Sequence, residues 1–109
     1  MSDKLLSFVG LCRRAKKLVI GAQVTVESVN SGKSRLVLYA SDASANSLKP
    51  VLAAAQRSGV EALDIQRGKE ELSLALGKLC GVLSVEDQGF ADRLREMVAA
   101  EAAALNDNE

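Results

Sequence analysis

Ser34–Ser41 reads SRLVLYAS, and inside it Leu36, Val37, Leu38 and Tyr39 follow one another with no polar residue between them. A strand with one wet face alternates apolar and polar side chains, so an unbroken run predicts a central strand covered on both faces. The flanks supply the covers. Downstream, Asp42 to Ser44 offers helix-start side chains, and Ala45 to Ser58 is Ala-rich, with Leu48, Val51, Leu52 and Ala55 at helical spacing before Gly59 closes it. Pro50 falls inside that span, so it must sit in the first turn or two or bend the axis. Upstream, Val24, Val26, Ser28 and Val29 lead to Asn30, Ser31 and Gly32, which predicts a helix over 22–31 in spite of its β-branched content.

The same reading extends to both ends. Leu5, Leu6, Val9, Leu11 and Cys12 fall largely on one helical face between Asp3 and Ala15, with Ser2 or Asp3 as N-cap and an end near Arg14. Leu18 to Ile20 is a brief strand stopped by Gly21. Val60 to Ile65 is a second main strand, Gly68 to Leu76 a helix ended by Gly77, and Gly81 to Val85 another apolar strand. Asp87 caps a last helix from about Gln88 to Ala100, after which residues 101–109 form a polar, Ala-rich tail expected to fray. Helices alternating with apolar strands predict an α/β protein. Its architecture is a three-layer α/β/α sandwich, with a mixed sheet of about four strands and helices on both faces. The 109 residues, 48% of them hydrophobic, suffice for one core, here a single domain over 1–100.

Composition narrows the function. The aromatics are Phe8, Tyr39 and Phe90 alone, too few for a recognition surface built on stacked aromatic platforms. There is no His, and Cys12 and Cys80 form no CxxC pair, so an ordinary zinc site is not expected and both thiols read as small buried hydrophobes. No nucleophile elbow, carboxylate pair or phosphate loop is recognisable; Ser31-Gly32-Lys33-Ser34 lacks the upstream Gly of a P-loop. Neither an enzyme nor a cofactor is expected. The start MSDKLLSFVGLCRRAKK places its charges after a short, Gly-broken apolar stretch, unlike a signal peptide, and no run approaches the ~18 apolar residues of a membrane span. The expected location is the cytoplasm.

Net charge is zero, yet residues 1–50 carry eight basic against three acidic side chains and residues 51–109 six against eleven. That asymmetry suggests a local polyanion-binding face, or merely faces solvated differently. RRAKKLVIGAQ concentrates it: Arg13, Arg14, Lys16 and Lys17 precede Gly21, which opens a helix. On this reading four cations lie beside backbone N–H groups that themselves carry partial positive charge. The alternative is a solvated helix C-terminus, where the dipole favours Lys and Arg anyway. Lys33 and Arg35 lie at the opposite end of the second helix from Gly21.

Taken together, LSFVGLCRRAKKLVIG, SGKSRLVLYASDAS, the Gly77 turn and SVEDQGFADRL resemble the bacterial YlxQ-type branch of the L7Ae/L30e superfamily of ribosomal and kink-turn RNA-binding proteins, over about Leu5 to Leu94. The resemblance implies binding of structured RNA through the start of the second helix and the loop before the last strand. In kink-turn binders of that superfamily the helix opens with Gly, a variable residue, Asn and Glu, with Lys three positions later. The matching positions are Gly21, Gln23, Val24 and Glu27. Gln23 keeps an amide for a base edge. Val24 lacks the carboxylate, and Glu27 reverses the charge of a phosphate-binding Lys, which weakens such a contact. The apolar loop corresponds to Lys78, Leu79, Cys80, Gly81 and Val82, available to extruded bases or, for Cys80 and Val82, to the core. The expected partner is structured RNA, ribosomal RNA first, with possible ribosome association and no membrane or DNA. The competing reading is a protein-interaction module on the same fold, engaging its partner through the acidic second half or the last helix.

Overall fold

The computed structural model describes residues 3–107. Five helices and four strands alternate: α1 Lys4–Arg14, β1 Leu18–Ile20, α2 Ala22–Asn30, β2 Leu36–Tyr39, α3 Ala45–Ser58, β3 Ala62–Asp64, α4 Lys69–Leu76, β4 Val82–Val85 and α5 Gln88–Asp107. The sheet order is β1-β4-β2-β3, with β4 antiparallel to both β1 and β2, and β3 parallel to β2. The mixed four-stranded sheet matches the expectation, and β2 is interior as its continuous apolar run requires.

The pleat divides that run between two cores. Leu36 and Leu38 face one side with Leu83 and Val85, packing on Leu5, Val9 and Cys12 of α1, Leu72 and Leu76 of α4, and Ala91 and Leu94 of α5. Val37 and Val82 face the other side, packing on Val29 of α2 and on Val51 and Ala54 of α3. Truncating a fully buried Leu such as Leu36 in a core of this kind costs about 2–5 kcal/mol. Pro50 sits on the exposed side of α3 in its second turn, and the helix runs through it unbroken.

Among the described residues four buried positions depart from the apolar rule, Thr25, Ser28, Ser34 and Ser84, and three of them are joined. Ser84 of β4 shares the face of Val82, and its hydroxyl bonds those of Ser28 (2.8 Å) and Ser34 (2.7 Å); the Ser28 hydroxyl donates on to the Glu86 carboxylate at 2.6 Å. The chain of hydroxyls satisfies three buried polar groups at once and ties the end of α2 to the end of β4.

At the opposite corner, Arg67 bridges α1 and α5. Its guanidinium donates to Asp3 (2.9 and 3.0 Å) and to Glu101 (2.6 and 2.7 Å), while Asp3 also accepts from the N–H groups of Leu5 and Leu6 as the N-cap of α1. Arg67 therefore holds the Asp3 carboxyl below its ordinary range. Ser2, the other cap suggested by sequence, lies outside the described residues.

The last helix corrects the sequence reading. It runs to Asp107 rather than ending near Ala100, because residues 101–105 are strong helix formers and Glu101 is clamped by Arg67. Positions 108 and 109 of the expected tail lie outside the described residues. No helix among the described residues is long and apolar enough to cross a membrane.

Candidate functional site

One end of the sheet collects three segments distant in sequence. The Gly21 N–H donates to the Val82 carbonyl at 2.9 Å, which seats the start of α2 beside the start of β4. The Ala40 N–H donates to the Gly81 carbonyl at 2.8 Å, so the turn after β2 lies against the loop before β4. Gly81 is the close-approach point: a Cβ there would lie 3.2 Å from Cδ of Lys69 and 3.4 Å from Cβ of Ala43. The two elements implied by the family resemblance, the α2 start and the 78–82 loop, are thus physically adjacent.

The start of α2 differs from every other helix start. Asp3 caps α1, Ser44 caps α3, and Asp87 accepts from the Phe90 N–H in α5. The start of α4 borrows Asp42, which accepts from Lys69 N–H at 2.7 Å, while Glu71 reaches back to Gly68 N–H. Gly21 brings no side chain, the first turn of α2 holds no acid, and among the described residues no protein acceptor meets the N–H groups of Ala22, Gln23 and Val24. These donors, at the positive end of a helix dipole, suit an anion. Gly21 adopts φ 122°, ψ 151°, a conformation essentially reserved to glycine. Gln23 and Val24 are exposed beside it.

The loop sorts its residues sharply. Cys80 is 6% exposed and Val82 1%, so both enter the core, while Leu79 is 81% exposed and Lys78 is exposed with it. Burial raises the Cys80 thiol pKa despite nearby Lys78 and Arg13, and pushes Cys12 up to about 11, so both thiols stay protonated at neutral pH. The Ser73 hydroxyl accepts from Cys80 N–H at 3.1 Å, and Arg13 donates to the Leu76 carbonyl, anchoring the loop at its root. A groove of about 490 Å³ opens along it, lined by Leu74, Leu79, Lys69, Lys78 and Asp42 among others.

The four cations expected around Gly21 are not gathered there. Arg13 reaches the loop, but Arg14 points into grooves flanking α1. Lys16 and Lys17 lie at the far end of β1, where the Lys17 carbonyl accepts from Glu86 N–H. Strand β1 separates Lys17 from Gly21 by roughly 13 Å at strand rise; sequence proximity misled because the intervening residues are extended. Glu27 and Lys33 line a groove with Val19 and Glu86, away from the loop.

Sequence reasoning missed Lys69, Asp42 and Leu74. A signal existed for Leu74: it lies two positions from each of the buried residues Leu72 and Leu76, on the opposite face of α4, and is 81% exposed. None existed for Lys69 and Asp42, whose roles depend on contacts between separate turns.

Comparison with known proteins adds identity to this geometry. The model of the Ribosomal protein L7Ae/L30e/S12e/Gadd45 family matches residues 3–95. The RNA-binding protein YlxQ of Enterococcus faecium is 30% identical over 96 residues, covering 88% of this chain and 92% of that protein. The protein of the same name from Bacillus subtilis is 32% identical over 91 residues, covering 79% and 86%. A solved structure of a Bacillus halodurans protein of unknown function superposes with a TM-score of 0.83 at 29% identity, covering 90% of this chain and 99% of that one. The chain belongs to the Ribosomal protein L7Ae/L30e/S12e/Gadd45 family, and within it resembles the YlxQ proteins, as its helix, turn and strand segments had indicated.

Proposed function

We propose that this protein binds structured RNA at the sheet end where the α2 start meets the loop before β4. The observation that carries the proposal is the contrast among helix starts: α2 alone opens on a glycine with no acceptor, beside a loop that exposes Leu79 and Lys78. A phosphate meets the Ala22, Gln23 and Val24 N–H groups, and the Gln23 amide reads a base edge. Leu79 and Leu74 cover an unstacked base, with Lys69 and Lys78 neutralising backbone charge. Arg13 positions the loop and adds charge at its root. The names of the YlxQ relatives support RNA as the ligand class. Lys16 and Lys17 take no part at this site, since β1 holds them at its other end.

Within that reading the RNA is a kink-turn or another folded element of ribosomal RNA, met in the cytoplasm. Val24 and Glu27 make kink-turn binding weaker than the family pattern supports. The test is fluorescence anisotropy with a labelled kink-turn RNA, a matched duplex and a single strand across a salt series. About three phosphate contacts predict roughly a 40-fold loss of affinity between 50 and 200 mM salt. Val24→Glu with Glu27→Lys should tighten kink-turn binding selectively. Equal, salt-insensitive retention of all three RNAs would overturn the proposal; a preference for another folded RNA, unmoved by the double variant, would overturn only the kink-turn reading.

A further inference from the structure

The outer layer of α1, α4 and α5, across the sheet from α2, carries a second feature that the RNA site does not use. Between α1 and α5 runs a groove of about 400 Å³ lined by Lys4, Phe8, Leu11, Arg14, Arg93 and Met97, with Ser7. The α1 members recur at i, i+3, i+4, i+7 and i+10, a single stripe along the helix, and Arg93 and Met97 are one turn apart on α5. Two ties hold the groove's walls: the Phe8 and Phe90 rings, with centroids 5.4 Å apart, and the Arg67 bridge from Asp3 to Glu101.

Its chemistry is one-sided. The floor is apolar, with Leu11 43% exposed, and all three charged lining residues are cations. The sole ion pair any of these cations makes among the described residues is Arg93 with Glu96, at 3.7 Å on an exposed face, which is worth little. Nucleic acid fits here less well than at the α2 start: Phe8 is turned onto Phe90, and the N–H groups of Leu5 and Leu6 at the start of α1 are already taken by Asp3, so no backbone donors wait for a phosphate. A helix with an apolar stripe and flanking carboxylates satisfies both floor and rim. Lys4 to Arg14 spans about 15 Å of helix, room for about three turns of such a partner.

We infer that the α1/α5 groove docks an acidic amphipathic helix of a partner protein. This inverts the electrostatics expected from the acidic second half of the sequence, because the last helix contributes a cation and a methionine here rather than its carboxylates. It leaves the α2 start free, so RNA and a protein partner bind on different surfaces at once.

The probe is a fluorescein-labelled fifteen-residue peptide with Leu at i, i+3, i+7 and i+10 and Glu at the flanking positions, with a shuffled peptide of identical composition as control. Fluorescence anisotropy with the full chain should show the patterned peptide binding at least tenfold tighter than the shuffled one. The variant Lys4→Glu/Arg14→Glu/Arg93→Glu should lose at least tenfold, and Leu11→Ser about fivefold, with helical circular dichroism retained. Amide NMR shifts on titration should map to α1 and α5. No binding by the patterned peptide, equal binding by the shuffled one, or shifts elsewhere overturns the inference. So does displacement of the peptide by a single-stranded RNA oligonucleotide, which would make the groove an RNA surface. Light scattering that shows a dimer broken by the triple substitution would overturn it in favour of a second copy. Gly21→Ala should leave peptide binding intact, which separates this inference from the RNA proposal.

Discussion

Two helix starts lie at the same end of the sheet and are built in opposite ways. The start of α4 is closed by acids taken from elsewhere, Asp42 onto Lys69 N–H and Glu71 back onto Gly68 N–H. The start of α2 is left open behind Gly21. Capping a helix is worth about 1 kcal/mol, and four of the five helices here take that stabilisation. The exception stands beside an exposed, cation-bearing loop, which is why the proposed RNA site puts a phosphate at the unmet donors. At α4 the borrowed cap does a different job. It ties the turn after β2 to the groove wall.

The contrast is broken most severely by Gly21→Ala. A Cβ has room there, its nearest neighbour being Val24 Cγ2 at 3.6 Å, so the cost is backbone strain rather than collision. At φ 122° that strain is about 1–3 kcal/mol, and the expected result is a lowered unfolding midpoint in urea with at least a tenfold loss of RNA affinity. Gly21→Ala with wild-type affinity would remove the α2 start from the site.

Acid tests the capped starts next. Arg67 holds the Asp3 carboxyl below its ordinary value, so the group's folded pKa is depressed. Its contribution is complete above the unfolded value of about 3.9 and is lost as pH falls through the folded one. Denaturant unfolding should therefore weaken below about pH 4. Asp3→Asn, which keeps a cap but not the charge, should cost about 1.5 kcal/mol at pH 7 and flatten the acid slope.

Asp42→Ala separates the two roles at the shared sheet end. Removing the borrowed cap should destabilise by about 0.5–1 kcal/mol, while RNA affinity rises a few-fold because an acid leaves the groove. A variant that lost both stability and RNA binding would make Asp42 a contact residue.

The smallest effect concerns a cation excluded from the site. Lys16 occupies φ 61° at the end of α1, where Lys16 and Lys17 N–H close back onto the Arg13 and Cys12 carbonyls, a position that favours glycine. Lys16→Gly should raise stability by about 0.5–1 kcal/mol and leave RNA affinity unchanged. A clear loss of affinity would return the far end of β1 to the RNA surface.

Local signals located nearly every element. The unbroken run Leu36–Tyr39 placed β2 inside the sheet, Gly59 and Gly77 marked helix ends, and the apolar stripe of α1 marked its buried face. Those features are written in neighbouring residues, because pleat and helix turn repeat over two to four positions. The end of α5 combines both kinds of signal: residues 101–105 are helix formers, but the contact that clamps Glu101, with Arg67, spans thirty-four positions. The site divides the same way. Gly21 and Leu79 are legible from segment type and resemblance, whereas Arg13 and Arg14 part because adjacent helix positions face different ways, and three extended residues hold Lys16 and Lys17 away from the glycine.

By itself the sequence determined which stretches are helix and strand, that both faces of the sheet are covered, and that Gly21 opens a helix, since each depends on short-range sterics and periodicity. Only the tertiary structure decided which charges meet. Sheet order brings Val82 to Gly21 and Gly81 to Asp42's turn, and the packing of α1 on α5 gathers Lys4, Arg14 and Arg93 around one groove. Charge acts through space over a few ångströms, and chain order does not record that distance.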